Sequence, residues 1–469
     1  WWSGEVMLSL TPKANADDAA VTGKLSLASL APPNESPCWG PTGWASWYEA
    51  RLFGSGNLVY VTVPSYTYEG SLERGRLIAA AIDVSNPQRP FIAGKTEVNF
   101  PERDLANDGT WGWSRGFVDG WAFWSYTHDA MNGSLIGSGQ AVVRHGTRLA
   151  YLETAHEPTQ LREKDGSWSW AVAARRRLHV VDFASPAQPK TYAIALPDSL
   201  GSSPLHLFDG TVLTSRWVRS TKNPGKVRFF VDRVDLKGPT PVILPSVNTP
   251  GSLVLADEAS SRFVTADYQI ERVSLGARPD EMRARAQQQY GDCSTTLGHG
   301  ASYDGEHHEC IRRTRDFKLA DVAGTKVTLR QTMTLPAQNI GGVQIADDRI
   351  YVTLFRQYGA SGYGEPELRH DEPEIVAEGG LWAIGGIRDG QLAIVSEMVG
   401  DAEWPLAAHG TKVALSTQRG LAIYDTATPT PKLVAEARLR GYGNSSHVLM
   451  SDTRAIASLG DWGLQTIPY

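Results

Sequence analysis

The residue types best able to do chemistry in this chain collect between two cysteines. Cys293 and Cys310 enclose His299, Asp304, Glu306, His307, His308 and Glu309. Imidazole nitrogens and carboxylate oxygens are what zinc and other divalent ions bind, so His299, Asp304, His307 and His308 are the candidate metal ligands. Their spacing matches no established site, and the same residues also read as a solvated polar loop. A Cys293–Cys310 disulfide would restrain this polar stretch by ~3 kcal/mol in the chain-entropy view, and it goes with an oxidising compartment. Cys38 is left over, as a buried thiol, an alternative mate, or the partner of a segment outside this sequence.

Tryptophan is the second concentration. Of 15 in the chain, 11 lie at or before Trp170. Trp39, Trp44, Trp47, Trp111, Trp113, Trp121 and Trp124 cluster outside the repeated strand patterns described below. Large rings in such places have two uses: they give a long loop a small core of its own, or they form a binding platform. The second use makes these seven the candidate binding residues.

Familiar catalytic motifs fail on inspection. Gly94-Lys95-Thr96 resembles the end of a phosphate loop, but Arg89 stands where the first glycine is needed, so it reads as a strand end. His156-Glu157 begins like a zinc-protease helix, yet Gln160 replaces the second ligand and Pro158 opposes the helix. Asp104 and Asp108-Gly109 suggest a calcium loop, but Ala106 and Arg115 occupy ligand positions. A Gly-x-Ser-x-Gly nucleophile is absent from the sequence.

The elements that must position these residues are written in the composition and the repeats. A chain of 469 residues, 41% hydrophobic and 20% charged, has ample material for a folded core. Its 46 glycines and 27 prolines fall between short apolar runs, as turn residues do. The net charge of −6 offers no broad cationic field, so nucleic acid is not an expected partner, and Arg175 to Arg177 read as solvated edge charges. No apolar run reaches the ~18 residues of a membrane span. The chain begins at Trp1, which fits either a processed product or a piece of a longer one.

One hairpin pattern recurs: a short apolar strand, a tight polar turn, and a second strand rich in aromatic and β-branched residues. Copies start at Arg51, Val142, Leu205, Val343, Leu406 and His447, with a weaker one at Ser252. Turn glycines such as Gly146, Gly210 and Gly410 suit the positive φ of tight hairpins. A third strand ending near an aspartate follows, then a proline-containing turn and a fourth strand. Asp83, Asp182 and Asp425 are expected to accept backbone N–H bonds two residues on.

Four strands repeated about seven times specify an all-β fold, a single β-propeller domain over 1–469. The last copy, at 447–469, is one strand short. EVMLSLT from Glu5 or KLSLASL from Lys24, both alternating with period two, is expected to close the ring. Roughly 67 residues per blade exceeds the roughly 40–45 of a compact propeller, so insertions must leave it. They are placed at 100–139, Trp-rich, and at 277–311, which holds one short helix over 278–290 and the Cys/His-rich loop. If the hairpin-like GFVDGWAFWS inside the first finds partners, the count rises to eight.

Two stretches carry a family resemblance. Asp83-Val84-Ser85-Asn86-Pro87-Gln88-Arg89-Pro90 and Asp182-Phe183-Ala184-Ser185-Pro186-Ala187-Gln188-Pro189 resemble the LVIVD repeat of bacterial cell-surface propellers. The copy at Asp425 matches in part, and those near Val231, Phe317 and Leu381 depart from it. The resemblance implies an extracellular or envelope protein and supplies no catalytic residues. The expectation is therefore an exported or cell-surface binding and scaffolding propeller that recognises a protein or a glycan through its insertions. The rival is a hydrolase or quinone-dependent oxidoreductase at the mouth of the channel. No organic cofactor is expected, and a divalent metal at the His/Asp cluster is the one the residues could hold.

Overall fold

The computed structural model describes residues 7–10, 22–27, 51–69, 72–100, 142–162, 168–199, 203–223, 226–276, 308–335, 340–354, 379–400, 405–417, 420–439, 448–459 and 464–469, with short pieces at 29–30, 44–45, 103–104, 357–358 and 375–377. Every regular element among them is a strand. No described helix is long and apolar enough to cross a membrane.

Strands β1 (Met7–Leu10) and β2 (Gly23–Ser26) form a hairpin of their own. The first blade is β3 (Trp44–Ala45), β4 (Arg51–Ser55), β5 (Leu58–Glu69), β6 (Leu72–Asp83), β7 (Phe91–Asn99) and β8 (Arg103–Asp104). The second is β9 (Val142–His145), β10 (Arg148–Arg162), β11 (Trp168–Asp182) and β12 (Lys190–Ser199). The third is β13 (Leu205–Phe208), β14 (Thr211–Arg219), β15 (Val227–Asp235) and β16 (Val242–Thr249). The fourth is β17 (Ser252–Asp257), β18 (Arg262–Gly276), β19 (His308–Ala323) and β20 (Lys326–Leu335).

The fifth blade pairs β21 (Ile340–Ala346) with β22 (Arg349–Leu354), and a small ladder of β23 (Gln357–Tyr358) with β24 (Ile375–Ala377) precedes its β25 (Gly380–Gly385) and β26 (Ala393–Val399). The sixth is β27 (Pro405–His409), β28 (Lys412–Thr417), β29 (Gly420–Asp425) and β30 (Lys432–Arg438). The seventh holds β31 (Val448–Met450), β32 (Arg454–Ser458) and β33 (Leu464–Pro468). Among the described residues, seven consecutive antiparallel sheets, each an up-and-down meander, make the fold class a β-propeller.

The chain divides into two compact units. The first holds Trp1–Ala122, Gln140–Val227 and Asp232–Ser246, the second Phe123–Gly139, Arg228–Val231 and Val247–Tyr469. In the first unit, Tyr60, Leu77 and Ala79 of the first blade pack on Leu149, Tyr151 and Phe183 of the second. Leu152, Leu178 and Val180 of the second then pack on Leu205, Val212 and Val234 of the third. In the second unit, Val264, Phe317 and Leu319 meet Ile350, Val352 and Trp382 of the fifth blade. Tyr351 and Leu381 meet Val413 and Leu415 of the sixth, and Leu421 and Ile423 meet Val448 and Ile467 of the seventh. Middle strands covered on both faces need unbroken apolar runs, and Leu77–Ile82 are each 1% exposed or less.

The N-terminal strands β1 and β2 pair with each other, and the seventh sheet holds three strands among the described residues. Both alternate with period two, and the short connection 11–22 makes their local pairing cheap in loop-closure entropy. β2 meets the first blade as β7 meets the second. A Cβ on Gly23 would stand 1.7 Å from the Pro87 carbonyl oxygen, and one on Gly94 would stand 1.6 Å from that of Pro186. Gly94 is thus inside β7 rather than at a strand end, and His156-Glu157 lies within strand β10. The helix expected over 278–290 and the extra hairpin at 116–125 lie outside the described residues.

Candidate functional site

Each blade has two unlike ends. In an up-and-down meander the turns joining strands one to two and three to four share one end, and the remaining connections share the other. At the first end the turns are tight: Gly146, Gly210 and Gly410 take φ of 57°, 65° and 56°. Asp83, Asp182 and Asp425 accept the N–H of Ser85, Ala184 and Ala427 at 2.8, 2.9 and 2.9 Å, the turns expected of them. The long connections 105–141, 277–307 and 355–379, the last carrying β23 and β24, depart from the other end of their blades. Each of the two stretches singled out in the sequence therefore departs from its own blade opposite that blade's tight turns.

The tight-turn end is clamped from blade to blade. Arg148, the first residue of β10, donates to Asp182 at 2.8 Å and to the carbonyls of Leu236, Gly238 and Pro239 at 2.5, 2.6 and 2.9 Å. Arg262, the first residue of β18, donates to Asp321 at 3.1 Å and to the carbonyls of Ile387 and Arg388 at 2.7 and 2.5 Å. Arg349, the first residue of β22, reaches the carbonyl and hydroxyl oxygens of Thr426 at 2.8 and 3.0 Å. Lys412, at the same place in β28, lies over the Tyr469 ring at 5.6 Å. A planar fork of donors suits several carbonyls at once. Its trace in the sequence is a basic residue directly after the hairpin turn in several repeats.

Toward the other end of the second and third blades, charges are buried. A register shift between Ala174 and Arg176 on β11 accompanies the burial of Arg176. Arg176 donates to Asp232 at 2.7 Å and to Thr214 at 3.0 Å, and Arg216 and Ser246 donate to the same carboxylate at 2.9 and 2.6 Å. Burial pulls the Arg176 guanidinium below its ordinary value, against the opposing effect of Asp232. Arg175 and Arg177 are exposed as expected, whereas Arg176 is 3% exposed and is not an edge charge. Three donors hold Asp232, so this cluster ties strands together.

A second buried group faces the first blade. The His179 Nε2 contacts the Glu153 carboxylate, and its ring stacks on Tyr151 with centroids 4.9 Å apart and planes 9° from parallel. Burial, with Glu153 adding to it, raises the Tyr151 hydroxyl well above the ordinary phenol range. Neither buried group was picked out in the sequence, because lone polar residues in apolar strands carry no motif.

Among the residues whose side chains are described, no three His, Cys, Asp or Glu are placed to hold a metal ion. The expected ligands His299, Asp304 and His307 lie outside the described residues, as do Cys293, Trp39, Trp47, Trp111, Trp113, Trp121 and Trp124. For Trp44, His308 and Cys310 the backbone alone is described, pairing with Tyr66, Gly276 and Val273.

No family model matches the chain, and no curated protein matches it. Among solved structures, that of the tricorn protease aligns at 8% identity and a TM-score of 0.31, over 89% of this chain and 47% of that one. A structure from a study of two prolyl endopeptidases aligns at 11% and 0.33, over 84% and 48%. Saccharomyces cerevisiae Sqt1 aligns at 8% and 0.29, over 85% and 92%. This chain spans about half the length of the tricorn and prolyl endopeptidase chains. Likenesses of this size carry no argument, and the fold class rests on the sheet pairing above.

Proposed function

We propose that this chain is a binding and scaffolding propeller, exported or at the cell surface, that recognises a protein or a glycan with the insertions of one end. The observation that supports this reading is that the long connections of the first, fourth and fifth blades depart opposite the clamped turns. Where blades must stay fixed to one another, turns are short and arginines clamp them. Where the strands reverse at the other end, the chain spends its length, its clustered tryptophans and its cysteine-flanked histidines. Loops on a rigid scaffold are where recognition is usually built. The LVIVD-like wording of two blades supports an envelope location, and with it a Cys293–Cys310 disulfide that peptide mapping without reductant would detect.

The test is alanine substitution of Trp39, Trp44, Trp111, Trp113, Trp121 and Trp124, one at a time. Rings that form a binding surface leave the melting temperature nearly unchanged, and truncating a central one weakens partner binding by at least ~2 kcal/mol. Rings that only core their own loops cost ~3–5 kcal/mol of stability instead. The reading is overturned if all six variants lose stability while their folded fraction binds cell-surface material as well as the parent.

A further inference from the structure

The central hairpin of the second blade outgrows its sheet. β9 pairs with β10 no further than Tyr151, and β12 pairs with β11 no further than Ala174. β10 and β11 nevertheless stay paired with each other as far as Arg162 and Trp168. From Ala155 and Ala173 outward they form a two-stranded arm that no other strand flanks among the described residues.

The register fixes what each face of the arm carries, because residues two apart along a strand share a face. Leu152 and Leu178 pack on the third blade, and Arg176, opposite Thr154, donates to Thr214 there. The same face continues outward through the pairs His156–Ala174, Pro158–Val172, Gln160–Trp170 and Arg162–Trp168. Beyond Thr214, β14 runs five residues, to Arg219, whereas beyond Thr154, β10 runs eight, to Arg162. The pairs Gln160–Trp170 and Arg162–Trp168 are thus carried past the end of β14.

We propose that these two cross-strand pairs form a binding site for a neutral oligosaccharide. A sugar ring has an apolar C–H face and a rim of hydroxyls. Tryptophan offers a broad flat apolar surface to the first, and glutamine and arginine offer donors, with one acceptor, to the second. Each pair sets a tryptophan opposite such a hydrogen-bonding residue. Trp168 and Trp170 are two positions apart on one strand, roughly 7 Å, a step on the scale of neighbouring rings in a sugar chain. Among the four outward pairs, Arg162 is the one lysine, arginine, aspartate or glutamate. A nucleic-acid backbone or a polyanionic glycan calls for a row of cations, and this face lacks it. The site lies outside the insertions on which the function proposed above rests, so either can fail alone.

Isothermal titration of the whole chain with cellohexaose, chitohexaose and maltohexaose tests this. At least one should bind saturably, and Trp168→Ala and Trp170→Ala should each weaken it about tenfold or more, the loss of one stacked ring. Phe91→Ala, which removes an exposed ring of the first blade, should bind as the parent does. Should the arm variants not fold, amide hydrogen exchange of the parent serves: saturating oligosaccharide should protect 155–162 and 168–174. Absence of binding by all three sugars, unchanged binding in both tryptophan variants, or an equal loss in Phe91→Ala would each overturn the proposal. So would protection confined to other segments, or tighter binding of a single-stranded oligonucleotide.

Discussion

Arg148 holds Asp182 of its own blade and, 2.6 Å away, the carbonyl oxygen of Gly238 in the next. One guanidinium thus fixes a turn inside the second blade and the spacing to the third. The side chains of the ion pair are 12% and 8% exposed, so water screens little of it. Arg148→Met should lower the stability of the first unit by about 3 kcal/mol, because it leaves the Asp182 carboxylate partly buried with one partner fewer. Arg148→Lys should recover only part of that, since one ammonium cannot serve three carbonyls in a plane. Chemical denaturation of the two variants checks the order; equal stability of parent and Arg148→Met would discard the clamp.

Acid should loosen the tight-turn end. Burial opposes the charge on Asp182, but hydrogen bonds from Arg148, Ala184 and Thr147 outweigh it and hold its carboxyl below the usual range. Asp257, Asp321 and Asp425 are lowered in the same way, burial again being outweighed by donors from Ser260 and Arg388, from Arg262 and Arg330, and from Thr411. A folded value below the unfolded one gives stability that is complete above the unfolded range, about pH 4 for aspartate, and fades as pH falls through the folded values. Thermal melts from pH 6 to pH 2 should decline mainly below pH 4. Asp182→Asn should flatten part of that limb, and an unchanged slope would count against it.

Two glycines of the first blade should respond oppositely to the same methyl group. Gly94→Ala drives a Cβ into the Pro186 carbonyl oxygen of the next blade and should cost ~1–3 kcal/mol through forced separation. At Gly54 in β4 no described residue lies within 4 Å of the added carbon. Gly54→Ala should be neutral or slightly stabilising, by up to ~1 kcal/mol, because alanine has less chain entropy to lose. Paired melting curves decide it, and a Gly94→Ala protein as stable as the parent would remove the close approach between β7 and the Pro186 turn.

Much of the repeat was legible because it is local. Two residues at a hairpin turn, an aspartate with a free N–H two positions on, and an apolar run between them are dictated within a dozen residues. The hairpin positions, the roles of Asp83, Asp182 and Asp425, and the three strands at the C-terminal end accordingly match the sheets observed. Arg176 was not legible. Its neighbours Arg175 and Arg177 are exposed, and nothing in three consecutive arginines says that the middle one meets an aspartate 56 positions away.

The sequence by itself determined the class of fold, since period-two alternation and turn chemistry are properties of neighbours along the chain. Tertiary structure decided which charges are buried and what they hold. Arg148 and Gly238 are 90 positions apart, and so are linked by packing between blades. It also decided the partner of the N-terminal strands. An alternating strand states which face it buries but not which edge it joins, and the nearest edge in sequence, β1 with β2, was joined at the least entropic cost.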